Sequence, residues 1–312
     1  MTEPDYFKLI DAEIWAFIRK TEESYPPDAI NAPVARQREI YDRMCRDFDA
    51  PYPAGVLATD RPLGGVAARV YLREAHPRAT VLYFHGGGFV VGGLHSHDGI
   101  CAEICGSTGY RVTSVDYRLA PEHRHPAAFD DAVAATRAAA GEWDGPLVIA
   151  GDSAGANLAA AVAHATRDEW LGLRGMVLIY AGLAFGRPDA GSLRRHANAP
   201  LLTRADVDFY ASIRMPEGGG DPADPTANPL NDSDFTGLPP AFLSAAECDP
   251  LADDSADYAA RIVAAGGTAR CVTEPGLVHG WLRARHMSAR ARNAFARIVE
   301  EIKTLGEGAL PR

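Results

Sequence analysis

Short apolar runs alternate with longer amphipathic stretches along most of the chain, and this alternation predicts a layered α/β fold. The runs are VAARVYL (66–72), TVLYF (80–84), RVTSVDY (111–117), PLVIAG (146–151), GMVLIY (175–180), AFLSAAE (241–247) and ARCVTE (269–274). Several are apolar at nearly every position, as strands are when helices cover both faces of the sheet. Helical stretches near 97–109, 126–141, 153–167, 252–266 and 287–305 separate most of them. The order implies a mostly parallel sheet flanked by helices, with any site at the carboxyl ends of the strands.

Two regions depart from the alternation. At the N-terminus, Phe7, Ile10, Ile14, Phe17 and Ile18 recur at helical spacing, which predicts one helix ending before Pro26 and Pro27. A second is predicted from about Pro33 to Phe48, capped by Asn31, with Tyr41, Met44 and Phe48 on one face. Residues 182–239 hold no clear strand and are rich in Gly, Pro, Asp and Asn. Within them LLTRADVDFYASIRM (201–215) reads as a helix, with Leu202, Val207, Tyr210 and Ile213 partly aligned. The expected organisation is N-terminal cap helices over 1–50, a main domain from 51–181 and 238–312, and a cap insertion over 182–237.

Composition narrows the classes. The chain has 312 residues, 47% apolar and 23% charged, enough for one large domain with a buried core. A net charge of -10 speaks against a nucleic-acid partner. No apolar stretch approaches a membrane span, and the opening MTEPDYFKLIDAE is acidic where a secretory leader would be basic and then apolar. Five cysteines without a disulfide framework suit free thiols in a reducing, cytoplasmic setting. Cys101 and Cys105, one helical turn apart, read as small buried residues.

Two glycine motifs carry the chemistry. GDSAG, Gly151 to Gly155, follows the apolar run PLVIA and opens the helical stretch NLAAAVAHA. In that strand–turn–helix context Gly-x-Ser-x-Gly works as a nucleophile elbow. Ser153 would sit in a strained conformation on a sharp turn, and side chains at Gly151 and Gly155 would collide. HGGGF, His85 to Phe89, follows the run TVLYF. Acyl transfer needs donors aimed at the oxygen that becomes negative, and consecutive glycines bring backbone N–H groups close. The donors are assigned to Gly87, Gly88 and Ala154, with Gly86 either assisting or shaping the loop.

A base and its orienting acid should follow in the order Ser, acid, His. His164 lies inside the helix that starts at the nucleophile, His196 in the irregular insertion, and His286 near the last helix. His279, in PGLVHGW, follows the last run by a short loop and is the expected base. Asp249, the first carboxylate after AFLSAAE, is the expected acid. Its rivals are Glu247 at the strand end and Asp253 and Asp254, which look like the first turn of a helix. Asp152 and His85 read as braces, and Asp116, Arg118 and Glu122 as hydrogen-bonding or ion-pairing residues. HSHD (95–98) and HRH (123–125) pair histidines at spacing two but lack further ligands, so no metal is expected; Ser96 or Asp98 reads as a helix cap.

With these residues in place, the sequence resembles the hormone-sensitive-lipase-like esterases of the α/β-hydrolase superfamily. The matches are HGGGF at 85–89, DYRLAPEH at 116–123, GDSAGANLA at 151–159, GLPPA at 237–241, ECDPLADD at 247–254 and HGW at 279–281. They stand in family order over about two-thirds of the chain. Ala156 stands where glycine is frequent, and Ala181 where proline is. The resemblance implies an eight-stranded α/β-hydrolase sheet with a helical cap, esterase activity on short acyl chains, and no cofactor or metal. It supports Ser153, Asp249 and His279 as the triad and the glycines after His85 as the oxyanion loop. Tyr180, Leu202, Phe209 and Tyr210 are candidate pocket walls. The expected partner is a small-molecule ester; the last strand could also pair with a second copy. An amidase or a sugar deacetylase would use the same machinery. A non-catalytic ligand-binding relative is disfavoured because His279 is present.

Overall fold

The computed structural model describes residues 4–169, 171–186, 191–217 and 219–311. Its eight strands are β1 (Leu57–Leu63), β2 (Val66–Leu72), β3 (Thr80–Phe84), β4 (Arg111–Val115), β5 (Leu147–Asp152), β6 (Leu173–Ile179), β7 (Ala241–Cys248) and β8 (Ala269–Val278). They form one sheet in the order β1-β2-β4-β3-β5-β6-β7-β8. The pairs β1/β2 and β2/β4 are antiparallel and the others parallel. The helices are α1 (Tyr6–Leu9), α2 (Ala12–Ser24), α3 (Val34–Arg46), α4 (Asp98–Thr108), α5 (Ala127–Glu142), α6 (Ala154–Thr166), α7 (Gly191–Arg195), α8 (Arg204–Arg214), α9 (Ala252–Ala264) and α10 (Ala289–Gly306).

The near-continuous apolar strands have the expected cause. Val81 and Tyr83 of β3 face a cluster with Ile100 and Ile104 of α4 and Ile298 and Ile302 of α10. Leu82 and Phe84 face the opposite cluster, with Ala135 of α5, Leu158 of α6 and Ile262 of α9. Successive side chains point to opposite faces, and both faces are covered.

Strand β1 is absent from the sequence reading. Only Leu63 among its residues is buried, so it shows no alternation to detect. It is tied to β2 by the pair Gly64 and Gly65, both at positive φ, the backbone a two-residue hairpin needs. The N-terminal reading is also corrected. The single helix is two, because Ile10 is extended and Asp11 caps α2 through the Ile14 N–H. Phe7 lies outside the buried face, 84% exposed. Asn31 caps nothing: it ends the 3-10 turn Pro27–Asn31, and Pro33 precedes α3. Tyr41, Met44 and Phe48 are buried as expected.

Residues 182–239 contain α7, α8 and the 3-10 turn Pro229–Asn231, with no strand among the described residues. The expected helix over 201–215 is shorter. Thr203 and Asp206 form a reciprocal cap that starts it at Arg204, leaving Leu201 and Leu202 outside.

Candidate active site

β5 runs straight into the nucleophile turn. Ser153 has φ 54° and ψ -116°, and α6 begins at the next residue. The turn is closed by the Ser153 N–H donating to the Ile179 carbonyl at 2.9 Å. The flanking glycines are steric necessities. A Cβ on Gly151 would meet the Gly155 backbone, and one on Gly155 would run into the carbonyl of Phe84 at the end of β3. The elbow is therefore pressed against the strand that delivers the glycine loop.

His279 follows β8 and Asp249 follows β7, so two adjacent strand ends bring them to the elbow. His279 Nε2 lies 2.9 Å from Ser153 Oγ, placed to accept its proton. His279 Nδ1 donates to Asp249 Oδ2 at 2.7 Å. Asp249 is fully buried, and its Oδ1 accepts the Leu251 N–H at 2.8 Å, which fixes the carboxylate plane. The rival acids are occupied elsewhere. Glu247 accepts from the Gly276 N–H, Asp253 from Ser192 and Arg195, and Asp254 from the N–H groups of Leu183 and Ala184. Of the other histidines, His164 pairs with Asp232, His196 meets the Tyr6 hydroxyl, and His286 pairs with Glu103.

The glycine loop is divided in its roles. Gly87 and Gly88 line the cavity beside Ser153 and Ala154. Their N–H groups and that of Ala154 donate to no protein acceptor among the described residues. Gly86 differs: it is buried, and its N–H donates to Asp152 Oδ1 at 3.0 Å. That commitment removes Gly86 from the oxyanion donors and leaves it the loop-shaping role. Gly87 and Gly88 both need positive φ, and a Cβ on Gly88 would strike the Tyr210 ring.

Asp152 is the hub beneath the site. Besides Gly86 it accepts from the hydroxyls of Tyr83 and Tyr180 and from His97 Nε2. Burial alone would raise its carboxyl, but the charge and hydrogen bond of His97 and the charge of Arg283 outweigh this and hold it below the usual carboxylate range. Tyr180 in turn packs against the His279 ring, with centroids 4.8 Å apart. Its own hydroxyl is pushed up by burial and by Asp152, so it stays a donor. His85 braces the loop from below, stacked on Tyr117 at 4.3 Å, with Nδ1 donating to the Gly86 carbonyl. Burial and the neighbouring His97 push its pKa down to about 3.

The other paired-histidine motifs are structural here. His95 meets Asp42, and His125 meets Asp224. Ser96 caps no helix; its hydroxyl closes a turn on Gly93, and Asp98 accepts from Tyr71, Arg69 and Tyr52. Arg118 pairs with Asp131, and Glu122 with Arg38, whose Nε also donates to the Val90 carbonyl beyond the glycine loop.

Above Ser153 lies a cavity of about 390 Å³. Of the four candidate wall residues, Tyr180, Leu202 and Tyr210 line it. Phe209 does not. It sits one position round α8, half-buried, with its ring 5.4 Å from that of Tyr210. Cap helices at the N-terminus are expected from the sequence, but not which of their residues reach the cavity: Phe17, Thr21, Tyr25, Tyr41 and Met44 all line it. Tyr25 and Tyr210 approach hydroxyl to hydroxyl at 3.3 Å, which joins these helices to the insertion across the cavity. The helical stripes include Phe17, Tyr41 and Met44, but nothing local says what they bury against. Arg214, also missed, is buried at the end of α8, 3.7 Å above the Phe89 ring.

Comparison with known proteins finds relatives of the same fold. A family described as alpha/beta hydrolase fold matches residues 81–283. The chain is 35% identical over 276 residues to the carboxylic ester hydrolase LipN of Mycobacterium tuberculosis, covering 82% of this chain and 71% of that one. It is 32% identical over 297 residues to an acetyl esterase of Salmonella typhi, covering 91% of each. Among solved structures, a hyperthermophilic esterase from the archaeon Pyrobaculum calidifontis superposes with a TM-score of 0.85 at 30% identity, covering 95% of this chain and 99% of that one.

Proposed function

This chain belongs to the hormone-sensitive-lipase-like family of α/β hydrolases and is a carboxylic ester hydrolase, and from that premise we propose that Ser153 is its nucleophile, His279 its base and Asp249 the acid that orients the base. The observation that carries the assignment is the chain of contacts from Asp249 Oδ2 through His279 to Ser153 Oγ, at 2.7 and 2.9 Å.

The chemistry follows from the geometry. His279 Nε2 takes the Ser153 proton as Oγ attacks the ester carbonyl. The carbonyl oxygen, now negative, is held by the N–H groups of Gly87, Gly88 and Ala154. Asp249 keeps the Nδ1–H tautomer in place and stabilises the imidazolium. His279 then protonates the departing alkoxide, leaving the acyl group on Ser153. Water, activated by the same imidazole, releases the acid and restores the hydroxyl.

The substrate is a small molecule with a short acyl chain. A cavity of about 390 Å³ is at the lower end of the range for small-ligand sites. Residues 1–50 and 182–237 act as the cap, supported by their side chains on the cavity wall. No described helix is long and apolar enough to cross a membrane. Five unpaired cysteines support a reducing, cytoplasmic location. β8 lies at a sheet edge, where a second copy could add its own strand.

The deciding experiment pairs Ser153→Ala with an acyl-length series of chromogenic esters. The parent should favour short chains, and the variant should lose at least about ten-thousandfold in kcat. An active Ser153→Ala protein would overturn the nucleophile assignment. Rates rising steadily toward long chains at an oil surface would replace the short-chain reading with a lipase.

A further inference from the structure

Among the described residues, one guanidinium lines the cavity with no carboxylate hydrogen-bonded to it. Arg283 lies in the 3-10 turn Trp281–His286, just past His279, and lines the cavity. It is only 9% exposed. Nη2 donates to the Tyr41 hydroxyl, the guanidinium carbon lies 5.1 Å from the centre of the Tyr41 ring, and a further side-chain hydrogen bond runs to the Cys45 thiol. Nε is buried without a partner. Asp152 is the carboxylate whose charge reaches it, but the Asp152 oxygens are engaged by Gly86, Tyr83, Tyr180 and His97.

The other buried arginines are different. Arg285 grips Glu103 at 2.6 Å. Arg214 donates to the Ala227 carbonyl and to Asn157 Oδ1 and lies over Phe89. Arg283 alone of these three keeps a buried N–H without an acceptor while lining the cavity. A buried guanidinium in that condition lacks the acceptors that normally offset its desolvation. A carboxylate matches its planar fork and would supply them.

Resting on the ester-hydrolase reading above, we infer that Arg283 is a specificity-determining residue that selects esters bearing one carboxylate on the acyl or the alcohol arm. Glu22 and Asp206 also line the cavity and repel any anion, so only a carboxylate seated on the Arg283 guanidinium gains, and a second one, with no guanidinium to meet, is excluded. One carboxylate, with an otherwise apolar body, is the chemistry this wall accepts.

The test uses matched pairs of stable esters followed by acid release at neutral pH. On the acyl arm, monomethyl glutarate and monomethyl adipate are set against methyl valerate and methyl caproate. On the alcohol arm, γ-acetoxybutyrate is set against butyl acetate. The parent should prefer the charged member on one arm, and that arm locates the carboxylate. Arg283→Met should lower kcat/KM for the charged member about tenfold more than for its neutral match, through KM. Arg283→Lys should recover part of the difference. Neutral esters turned over as well or better on both arms would overturn the inference, and this needs only the parent. An equal loss on both members in Arg283→Met would also overturn it, marking a structural cation. A parent that cleaves the neutral esters without charge preference sinks this inference alone. A parent that cleaves none of them sinks the ester-hydrolase reading itself.

Discussion

Gly86 donates its N–H to Asp152 Oδ1 at 3.0 Å, so the glycine loop and the nucleophile turn share one buried carboxylate. The same carboxylate holds Tyr180, which packs on the ring of His279. Three parts of the site are thus registered against one side chain that touches no reacting atom. Asp152→Asn should lower kcat about tenfold to a hundredfold and leave KM nearly unchanged, because donors and base lose alignment while the cavity keeps its shape. Steady-state kinetics on a short-chain chromogenic ester measures both constants. A KM effect without a kcat effect would argue against this role.

Gly155 has no room for a methyl group, since its Cβ would overlap backbone atoms of Phe84 and His85. Backbone cannot swing aside as a flexible side chain can. Gly155→Ala should cost at least about 3 kcal/mol and leave little soluble protein. Gly141, whose Cβ would meet nothing within 4 Å, is the control. It lies inside α5, and Gly141→Ala should hold or gain stability by up to about 1 kcal/mol. Denaturant titration of the two variants gives the comparison.

Tyr210 closes the cavity over Gly88. Tyr210→Ala should open that wall and move the preferred acyl chain to greater length. Each newly accommodated methylene is worth about fourfold in kcat/KM. An acyl series in which parent and variant fall off at the same chain length would show that another wall sets the limit.

His85 is buried and uncharged, with its pKa pushed from 6.5 down to about 3 by burial and His97. As pH falls through this window the unfolded chain takes up the proton first. The stability this residue contributes above pH 6.5 is therefore lost progressively down to about 3. The slope from one such group is about 1.4 kcal/mol per pH unit. His85→Asn should flatten the decline by that amount, read from denaturation midpoints at a series of pH values. An unchanged slope would mean that other groups set the acid sensitivity.

What could be read from the sequence is what depends on short-range backbone constraint. Ser153 between Gly151 and Gly155, and the glycines after His85, are positions where local geometry permits few residue types. His279 and Asp249 were reachable because each follows a strand end, where a parallel sheet collects its chemistry. The failures share the opposite property. β1 buries only Leu63, so the pattern of apolar positions is silent about it. The helical spacing from Phe7 to Ile18 runs unbroken through a real interruption at Ile10, although only Ile10, Ile14, Phe17 and Ile18 are buried and Phe7 is exposed. Phe209 and Tyr210 are equally aromatic, and only the orientation of α8 decides which faces the substrate. Arg283 sits in no motif; its meaning comes from Tyr41, contributed 242 residues earlier in the chain.

The same distance in sequence has a consequence in time. Ser153 and His279 are 126 residues apart, and the base reaches the elbow only when β8 has docked on β7. A polypeptide still emerging from the ribosome displays its hydroxyl and its glycine loop with no imidazole to take the hydroxyl's proton. On the proposed triad, nascent chains are chemically silent toward cellular esters, and hydrolysis begins only when that late strand takes its place.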